Sequence, residues 1–272
     1  MEYFIAFCGL FVALLIVRIA LGNTSGISNL EFGFSKTPGN RQVNADEVDW
    51  AYFDDQTMFT VADGMGPGDK ACTAAKVSVR ILTRIFEQTG AGGNPAYFFR
   101  NAFNGANSTI LRYIPDSTAG ASLISAIVKD GMLYYALVGN CKISVFRKGE
   151  LYELSEGQTY DVLVRRAFLR EKVQREDAIE AVRDGRAYNF VGKDGFRDIE
   201  MFDTPVKLQR GDIIILMTDG IYEFCPEGTL TEILSSRDSC KAKAKKITDT
   251  LDRENHEEQD NASVIVARVN HV

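Results

Sequence analysis

The stretch ASLISAIVKDGMLYYALVGNCKISVFRKGELYEL, residues 121–154, decides the fold class. It contains four apolar runs of strand length, and the runs are separated by turn-forming pairs: Asp130-Gly131, Gly139-Asn140 and Lys148-Gly149. Pairs of this kind form the tight turns of β-hairpins, in which the two strands are antiparallel. The sequence therefore predicts an antiparallel sheet in the middle of the chain.

Helices and further strands are predicted on both sides of this stretch. The elements are, in chain order, a strand at 58–62 that ends in an Asp-Gly turn, helices at 71–86 and 95–113, a strand at 213–217, helices at 229–234 and 241–252, and a strand at 262–269. Trp50 and Tyr52 alternate as in a strand and are expected to pack in the core. Antiparallel strands with helices in separate blocks are typical of an α+β layered fold, although periodicity does not show how the layers stack.

The composition narrows the classes of protein. The chain has 272 residues, of which 45% are hydrophobic and 25% charged, which excludes a collagenous or wholly disordered protein. Its net charge of −6 argues against binding the phosphates of nucleic acids. The five cysteines are scattered without a CxxC pair, which argues against a disulfide framework and suggests a reducing compartment. Only two histidines are present, which argues against a His-rich metal site or a Ser-His-Asp triad.

Residues 3–22 form an apolar stretch whose only charged residue is Arg18, close to its end. About 20 residues of helix cross the hydrocarbon core of a membrane, and a long arginine side chain can reach the interface. We therefore predict a transmembrane anchor at 1–22, a linker at 23–27 and one domain at 28–272. A cleaved signal peptide would have Lys or Arg before the apolar run, where this sequence has only Glu2. A buried core helix would have a polar face.

The basic residues around this stretch predict its orientation. Arg18, Lys36 and Arg41 follow the apolar run, and no basic residue precedes it. Because basic residues stay on the cytoplasmic side, the predicted location is the cell membrane, with a single span and a cytoplasmic domain.

Three aspartates lie at strand ends. Asp63-Gly64 and Asp219-Gly220 each follow an apolar run, and Asp260-Asn261 opens the last predicted strand. Carboxylates that a sheet holds at the rim of a cleft form an oxygen-only site that suits Mg²⁺ or Mn²⁺. Each Asp-Gly pair alone is also a common turn, and that alternative stays open at this stage.

Three blocks of the sequence resemble, in order and spacing, the signature motifs of the metal-dependent protein phosphatases of type 2C. The blocks are VADGMG (61–66), LQRGDIIILMTDGIYE (208–223) and DNASVIVARV (260–269). Two weaker blocks agree: RQVNAD (41–46) resembles the family's Arg-x-x-Asn-Glu-Asp, and residues 134–159 resemble its Gly-Asp strand pair. The resemblance extends over about residues 28–270.

The resemblance implies two antiparallel β-sheets packed face to face and flanked by helices, an αββα sandwich. It also implies a cofactor of two Mn²⁺ or Mg²⁺ ions, with these ligands: Asp46, Asp63, the carbonyl of Gly64, Asp219 and Asp260. In the implied mechanism Asp63 bridges the ions, Asp46 acts catalytically through metal-bound water, and Arg41 binds the substrate phosphate as a catalytic residue. The implied reaction is hydrolysis of phosphoserine or phosphothreonine in proteins by the water that bridges the ions.

Three positions depart from the family's pattern. Ala45 replaces a Glu near the second metal, Asn140 replaces the Asp of an additional metal site, and residues 157–158 read Gly-Gln instead of Asp-His. The first two favour an alternative function, a pseudophosphatase that binds or regulates phosphoproteins with the same fold. Because the aspartates and Arg41 are retained, we predict an active phosphoprotein phosphatase.

The predicted partners follow from this function and from the anchor. They are proteins that carry phosphoserine or phosphothreonine, with a receptor-type Ser/Thr kinase as one candidate, and the lipid bilayer through residues 3–22. Residues 156–185 are highly charged and helical in pattern. They predict a solvated helical face, with contact to substrate as the alternative.

Overall fold

The structure is a computed structural model that describes residues 29–170, 172, 186–196, 198–254 and 256–271. The predicted anchor at 1–22, the linker at 23–27 and most of the second half of the segment 156–185 lie outside these residues. No helix in the described ranges is long and apolar enough to cross a membrane. The anchor therefore stays a prediction.

Eleven strands and six helices make up the described part of the domain. The strands are β1 (Leu30–Thr37), β2 (Glu47–Phe53), β3 (Gln56–Met65), β4 (Gly120–Lys129), β5 (Met132–Val138), β6 (Lys142–Arg147), β7 (Glu150–Glu153), β8 (Glu200–Met201), β9 (Val206–Lys207), β10 (Ile213–Met217) and β11 (Ala262–Val269). The helices are α1 (Gly68–Thr89), α2 (Pro95–Tyr113), α3 (Tyr160–Leu169), α4 (Asp219–Tyr222), α5 (Glu227–Ser235) and α6 (Cys240–Glu254).

The strands form two antiparallel sheets. The first sheet has the order β1-β11-β10-β6-β7, and the second has the order β2-β3-β4-β5-β8, with β9 also paired to β5. One core lies between the sheets and includes Phe59, Ile124 and Leu216. Helices α1 and α2 cover the outer face of the second sheet, and α4 to α6 cover the outer face of the first. The predicted αββα sandwich is confirmed.

Local sequence explains why several elements form where they do. The side chain of Asn94 accepts a hydrogen bond from the N–H of Tyr97 at 3.0 Å, and Pro95 is the first helical residue, so α2 has the predicted cap. Strand β4 is buried from Gly120 to Ile127 because one face meets the other sheet and the opposite face meets the helices. An apolar run without alternation is the expected sequence of such a strand.

Two predictions differ from the structure. The strand predicted at 58–62 does not turn at Asp63-Gly64 but continues to Met65, because β4 pairs with it up to the Met65–Gly120 position. Tyr52, which was expected to pack in the core, is 40% exposed at the edge of the second sheet. The first difference places Asp63 inside a strand, where the sheet fixes its backbone.

Candidate metal centre

Elements of both sheets bring the four aspartates to one end of the sandwich. Asp63 lies near the end of β3, and Asp46 directly precedes β2. Asp219 is the first residue of α4, just after β10, and Asp260 lies just before β11. Asp63, Asp219 and Asp260 line a cleft of about 1140 Å³, and Asp46 is buried beside it. The site is thus built from strand ends that lie far apart in sequence.

Asp46 is buried, and only one of its carboxylate oxygens is hydrogen-bonded. Oδ2 accepts from the hydroxyl of Thr218 at 3.0 Å, and that hydroxyl accepts from the backbone N–H of Ser263 at 2.9 Å. Oδ1 is buried without a hydrogen-bond partner among the residues that the structure describes. Burial raises the pKa of Asp46 to about 6. A cation, or a water held by one, would satisfy this oxygen.

Asp63 and Asp219 concentrate negative charge in the cleft. Burial, followed by the charges of Asp219, Asp46 and Asp260, raises the pKa of Asp63 well above its usual range. Burial, followed by the charge of Glu223, raises the pKa of Asp219 to about 7. These shifts show that the carboxylates lack sufficient positive charge around them, which a bound divalent cation would supply.

Gly64 and Gly220, which follow Asp63 and Asp219, permit close packing of the backbone. A Cβ atom on Gly64 would overlap the carbonyl oxygens of Ala71 and Ala45, and one on Gly220 would overlap the carbonyl oxygen of Asn261. Only glycine therefore fits these positions without moving the backbone. The backbone of Gly64 borders the cleft, where the resemblance assigns its carbonyl to a metal ion.

Arg41 is held by an aspartate of the same cleft. Its Nε and Nη2 donate to the two carboxylate oxygens of Asp260 at 3.0 and 2.7 Å. The two side chains are 58% and 41% exposed, so water weakens this ion pair. In the structure the guanidinium therefore binds a carboxylate. Its predicted contact with substrate phosphate stays a prediction.

Asn140 acts as a hydrogen-bond donor at the centre. Its Nδ2 donates to Oδ2 of Asp219 at 2.7 Å, while its Oδ1 accepts from the hydroxyl of Ser122 at 2.6 Å. The hydroxyl of Tyr222 donates to the Asn140 carbonyl at 2.9 Å. The amide thus orients the Asp219 carboxylate, a role that the sequence alone did not indicate.

The donor set fits a hard divalent cation, although its members are not in a coordinating arrangement. Within the described part of the chain, no group of three or more His, Cys, Asp or Glu side chains forms a ready-made cage. Arg41 holds Asp260 and Asn140 holds Asp219, so cation binding requires these contacts to rearrange. Oxygen-only donors, excess negative charge and the unpartnered Oδ1 of Asp46 are the features that suit Mg²⁺ or Mn²⁺.

Asn261 supports the centre, and sequence reasoning assigned it no role. Its Oδ1 accepts from the N–H of Ala45 at 2.7 Å, and its Nδ2 donates to the carbonyls of Pro38 and Val43 at 2.9 and 3.1 Å. These bonds attach the segment that carries Arg41 to the start of β11. In the sequence, the only sign of this supporting role was that Asn261 directly follows the candidate ligand Asp260.

A comparison with families of known sequences identifies the family to which the chain belongs. Residues 38–262, more than half of the chain, match the sequence profile described as "Protein phosphatase 2C". The chain belongs to the protein phosphatase 2C family. This membership confirms the predicted resemblance and the prediction of a phosphoprotein phosphatase.

Relatives with names agree with this family. The chain is 26% identical, over 198 residues, to the serine/threonine phosphatase stp of Listeria monocytogenes, which covers 70% of this chain and 77% of the relative. The corresponding protein of Listeria innocua is 25% identical over the same length and coverage.

Solved structures of other phosphatases share the fold of this protein. The Mycobacterium tuberculosis phosphatase PstP/Ppp superposes with a TM-score of 0.73 at 21% identity, covering 89% of this chain and 100% of that one. The S. agalactiae serine/threonine phosphatase gives a TM-score of 0.75 at 18% identity with the same coverages. The catalytic domain of PstP in complex with two manganese ions gives 0.71 at 20% identity, covering 89% and 99%. That structure holds two manganese ions, which is the number and one of the two kinds of cation that the resemblance implies for this chain.

Proposed function

We propose that this protein is a membrane-anchored Ser/Thr protein phosphatase that hydrolyses phosphomonoesters at the cleft between its two sheets. The observation that carries the proposal is the convergence of Asp46, Asp63, Asp219 and Asp260 with raised pKa values at three of them. Two divalent cations held by these carboxylates and by the Gly64 carbonyl would supply a bridging water as nucleophile and would neutralise charge on the phosphate.

A hydrogen bond inside the protein holds the Asp46 carboxylate in place beside the cleft for this reaction. We assign to the unpartnered Oδ1 of Asp46 the role of accepting a hydrogen bond from the attacking water, and Thr218 fixes the carboxylate through its other oxygen. A carboxylate held in this way loses little freedom when the substrate binds, which lowers the barrier for attack.

Arg41 is the group that would bind the substrate phosphate. Its guanidinium forms a planar fork that matches phosphate oxygens as well as it matches the Asp260 carboxylate. When Asp260 binds a cation, its attraction for Arg41 weakens, so the fork becomes available at the mouth of the cleft. Metal and phosphate binding are thereby coupled through one ion pair.

The proposed substrates are proteins that carry phosphoserine or phosphothreonine. Relatives named serine/threonine phosphatase support this class of substrate. A receptor-type Ser/Thr kinase is a candidate because a phosphatase and a kinase anchored in one membrane meet at raised local concentration.

Membrane anchoring through residues 3–22 is the second part of the proposal. The length of the apolar run, the position of Arg18 and the basic residues after it support a single span with the domain in the cytoplasm. Residues 23–27 would then link the anchor to the domain.

The alternative, a pseudophosphatase, is favoured by Ala45 and Asn140, which replace acidic residues of the family's pattern. Hydrolysis of p-nitrophenyl phosphate by the full chain in detergent micelles decides between the two. An active enzyme gives turnover with Mn²⁺ that a chelator abolishes and that Asp219→Asn reduces. Hydrolysis no faster than the uncatalysed reaction at any Mn²⁺ concentration, in a folded protein that binds the ion, would favour the pseudophosphatase.

A further inference from the structure

An aromatic cluster lies on the open edge of the sandwich, and none of its residues lines the cleft. Strand β1 ends the first sheet and β2 ends the second, and ring contacts join the two edges. Phe32 and Phe34 of β1 meet Trp50 of β2 with ring centroids 5.3 Å apart in both cases, and Phe32 lies 6.4 Å from Tyr52. These four residues are named the aromatic edge.

The aromatic edge is partly open to solvent and carries no charge of its own. Phe34 is 41% exposed and Tyr52 is 40% exposed. The intervening residues of β1 point to α6, where Glu31 accepts from the N–H of Cys240 at 2.8 Å and Ser35 bonds to Thr248 at 2.7 Å. Within the described residues, the outer edges of β1 and β2 have no strand partner, and exposed aromatic side chains on such edges are a feature of surfaces that bind a partner.

The course of the chain connects the aromatic edge to the apolar residues 3–22. Strand β1 begins at Leu30, and only seven residues, 23–29, lie between that position and Gly22, the end of the apolar run. The eight steps from Gly22 to Leu30 span at most about 28 Å when the chain is fully extended. If residues 3–22 cross a bilayer, the start of β1 cannot lie farther than this from the membrane surface.

We propose that the aromatic edge docks in the headgroup region of the bilayer that residues 3–22 cross, so that the domain lies with this side on the membrane. The proposal rests on the membrane anchoring proposed above. Tryptophan and tyrosine are the residues that concentrate at membrane interfaces, because their rings are apolar and their N–H or O–H groups reach water.

The docked orientation has a consequence for the substrates. Strand β1 leads to the segment that carries Arg41, and Arg41 follows Phe34 by seven residues, a distance of at most about 25 Å along the chain. The cleft is therefore held within about 25 Å of the docked edge. Phosphorylated residues close to the membrane surface, rather than those of distant soluble proteins, are the sites within reach.

Trp50 is the only tryptophan of the chain, so its fluorescence reports on the aromatic edge alone. The full chain is reconstituted in phosphatidylcholine vesicles whose acyl chains carry bromine either near the headgroup or near the terminal methyl. For docking at the interface, bromine near the headgroup is expected to quench Trp50 about twofold more than deep bromine. Iodide in the water is expected to quench it about twofold less than in detergent micelles.

Matched variants separate docking from other effects. Phe34→Ser combined with Tyr52→Ser should lower quenching by lipid bromine, whereas Tyr97→Ser, a 64% exposed residue on α2, should leave it unchanged. Both variants should hydrolyse p-nitrophenyl phosphate at the unaltered rate, because neither site lines the cleft, and this confirms their fold.

The outcomes distinguish docking from anchoring. If the protein fails to float with the vesicles, the anchoring is wrong and the docking falls with it. If it floats while Trp50 is quenched by iodide and not by bromine, the anchoring stands and the docking is wrong. Trp50 is partly buried against the core between the sheets, so its quenching by iodide in micelles is the reference. If iodide reaches Trp50 in micelles but neither quencher reaches it in vesicles, the docking is also overturned, because protein, such as a second copy of the chain, then covers the edge.

Discussion

Asp46, Asp63 and Asp219 have carboxylates whose pKa values the protein raises, and burial is the largest cause for each of them. An uncompensated buried charge destabilises a fold by about 3 to 5 kcal/mol. Three of them close together therefore reduce stability unless a ligand of opposite charge is bound. The cluster is thus better explained by cation binding than by any contribution to folding.

Asp63→Asn tests this explanation at its central residue. We expect kcat to fall about 1000-fold, equivalent to about 4 kcal/mol, because the proposed bridging ligand loses its charge. The metal-free protein should be as stable as the parent or more stable, since the variant removes repulsion from Asp219, Asp46 and Asp260. Turnover of p-nitrophenyl phosphate, calorimetric Mn²⁺ titration and thermal unfolding measure these effects.

Asp116→Asn, at an exposed aspartate that pairs with Lys70, is the control and should retain Mn²⁺ binding and turnover. Near-normal Mn²⁺-dependent turnover of Asp63→Asn would exclude Asp63 as a ligand.

Arg41→Ala should weaken the binding of the substrate without weakening the binding of the metal. Loss of a charge-assisted bidentate contact is expected to lower kcat/KM on a phosphopeptide about 10- to 1000-fold, mainly through KM. Affinity for Mn²⁺ should not fall, because the variant frees Asp260 from a competing cation. Arg41→Lys, which keeps the charge but not the fork, should recover part of the loss. A parallel drop in Mn²⁺ affinity would show that Arg41 supports the metal instead.

At the residue scale, sequence motifs predicted which side chains meet but not how they are held. Arg41 and Asp260 are 219 positions apart, and Asn140 and Asp219 are 79 apart. Hydrogen bonds between such distant residues depend on the final packing of both sheets, which no local pattern records. The sequence showed that Asn140 departs from the family's pattern. Its role as a hydrogen-bond donor to Asp219 could be seen only in the folded structure.

At the scale of elements, hairpin turns and helical spacing predicted most of the architecture. The boundaries were less predictable, because β3 continues past Asp63 only where β4 is available to pair with it. Strands β8 and β9 have two residues each, too few for any periodicity. They exist because the edge of β5 provides hydrogen-bond partners.

Lys243 is a buried lysine that joins helix α6 to the end of helix α5 through hydrogen bonds. Amino-acid composition does not predict this contact. Lys243 is fully buried in α6, and its Nζ donates to the carbonyls of Ile233, Leu234 and Ser236 at the end of α5. Lys243→Met should lower the free energy of unfolding by about 1 to 3 kcal/mol, because it leaves buried carbonyls unsatisfied. Thermal or urea unfolding measures the loss.

The matched control for Lys243→Met is Lys241→Met, an exposed lysine of the same helix. It should change stability by less than about 0.5 kcal/mol. Both variants should keep kcat and KM, since neither residue lines the cleft. Unchanged stability of Lys243→Met would mean that its hydrogen bonds contribute nothing net.

At the scale of the whole molecule, the proposed topology can be tested in cells. Protease added outside intact cells should leave residues 28–272 uncut, because the basic residues after the apolar run keep the domain in the cytoplasm. Opening the cells before digestion is the control and should permit cleavage. Digestion of the domain in intact cells would show an inverted span or a secretion signal, and the proposed opposition to a cytoplasmic kinase would then be wrong.

The carboxylate cluster also links the stability of the whole domain to pH. The pKa values of Asp46 and Asp219 are raised to about 6 and about 7, so between about pH 4 and 7 the folded protein without metal binds more protons than the unfolded chain. Its stability should therefore fall as the pH rises through this range. Mn²⁺ competes with these protons, so its affinity should rise with pH over the same range.

Thermal unfolding at about pH 5 and about pH 8, with and without millimolar Mn²⁺, measures both effects. Without metal, the midpoint is expected to be lower at the higher pH by several degrees, because two carboxylates then ionise in the buried cleft. With Mn²⁺ the drop should disappear, since the ions replace the missing positive charge. Asp219→Asn, which removes one titrating group, should reduce the pH slope without metal. An equal stabilisation by Mn²⁺ at both pH values would show that the ion binds away from these carboxylates, because only ligands that must lose protons make metal binding depend on pH.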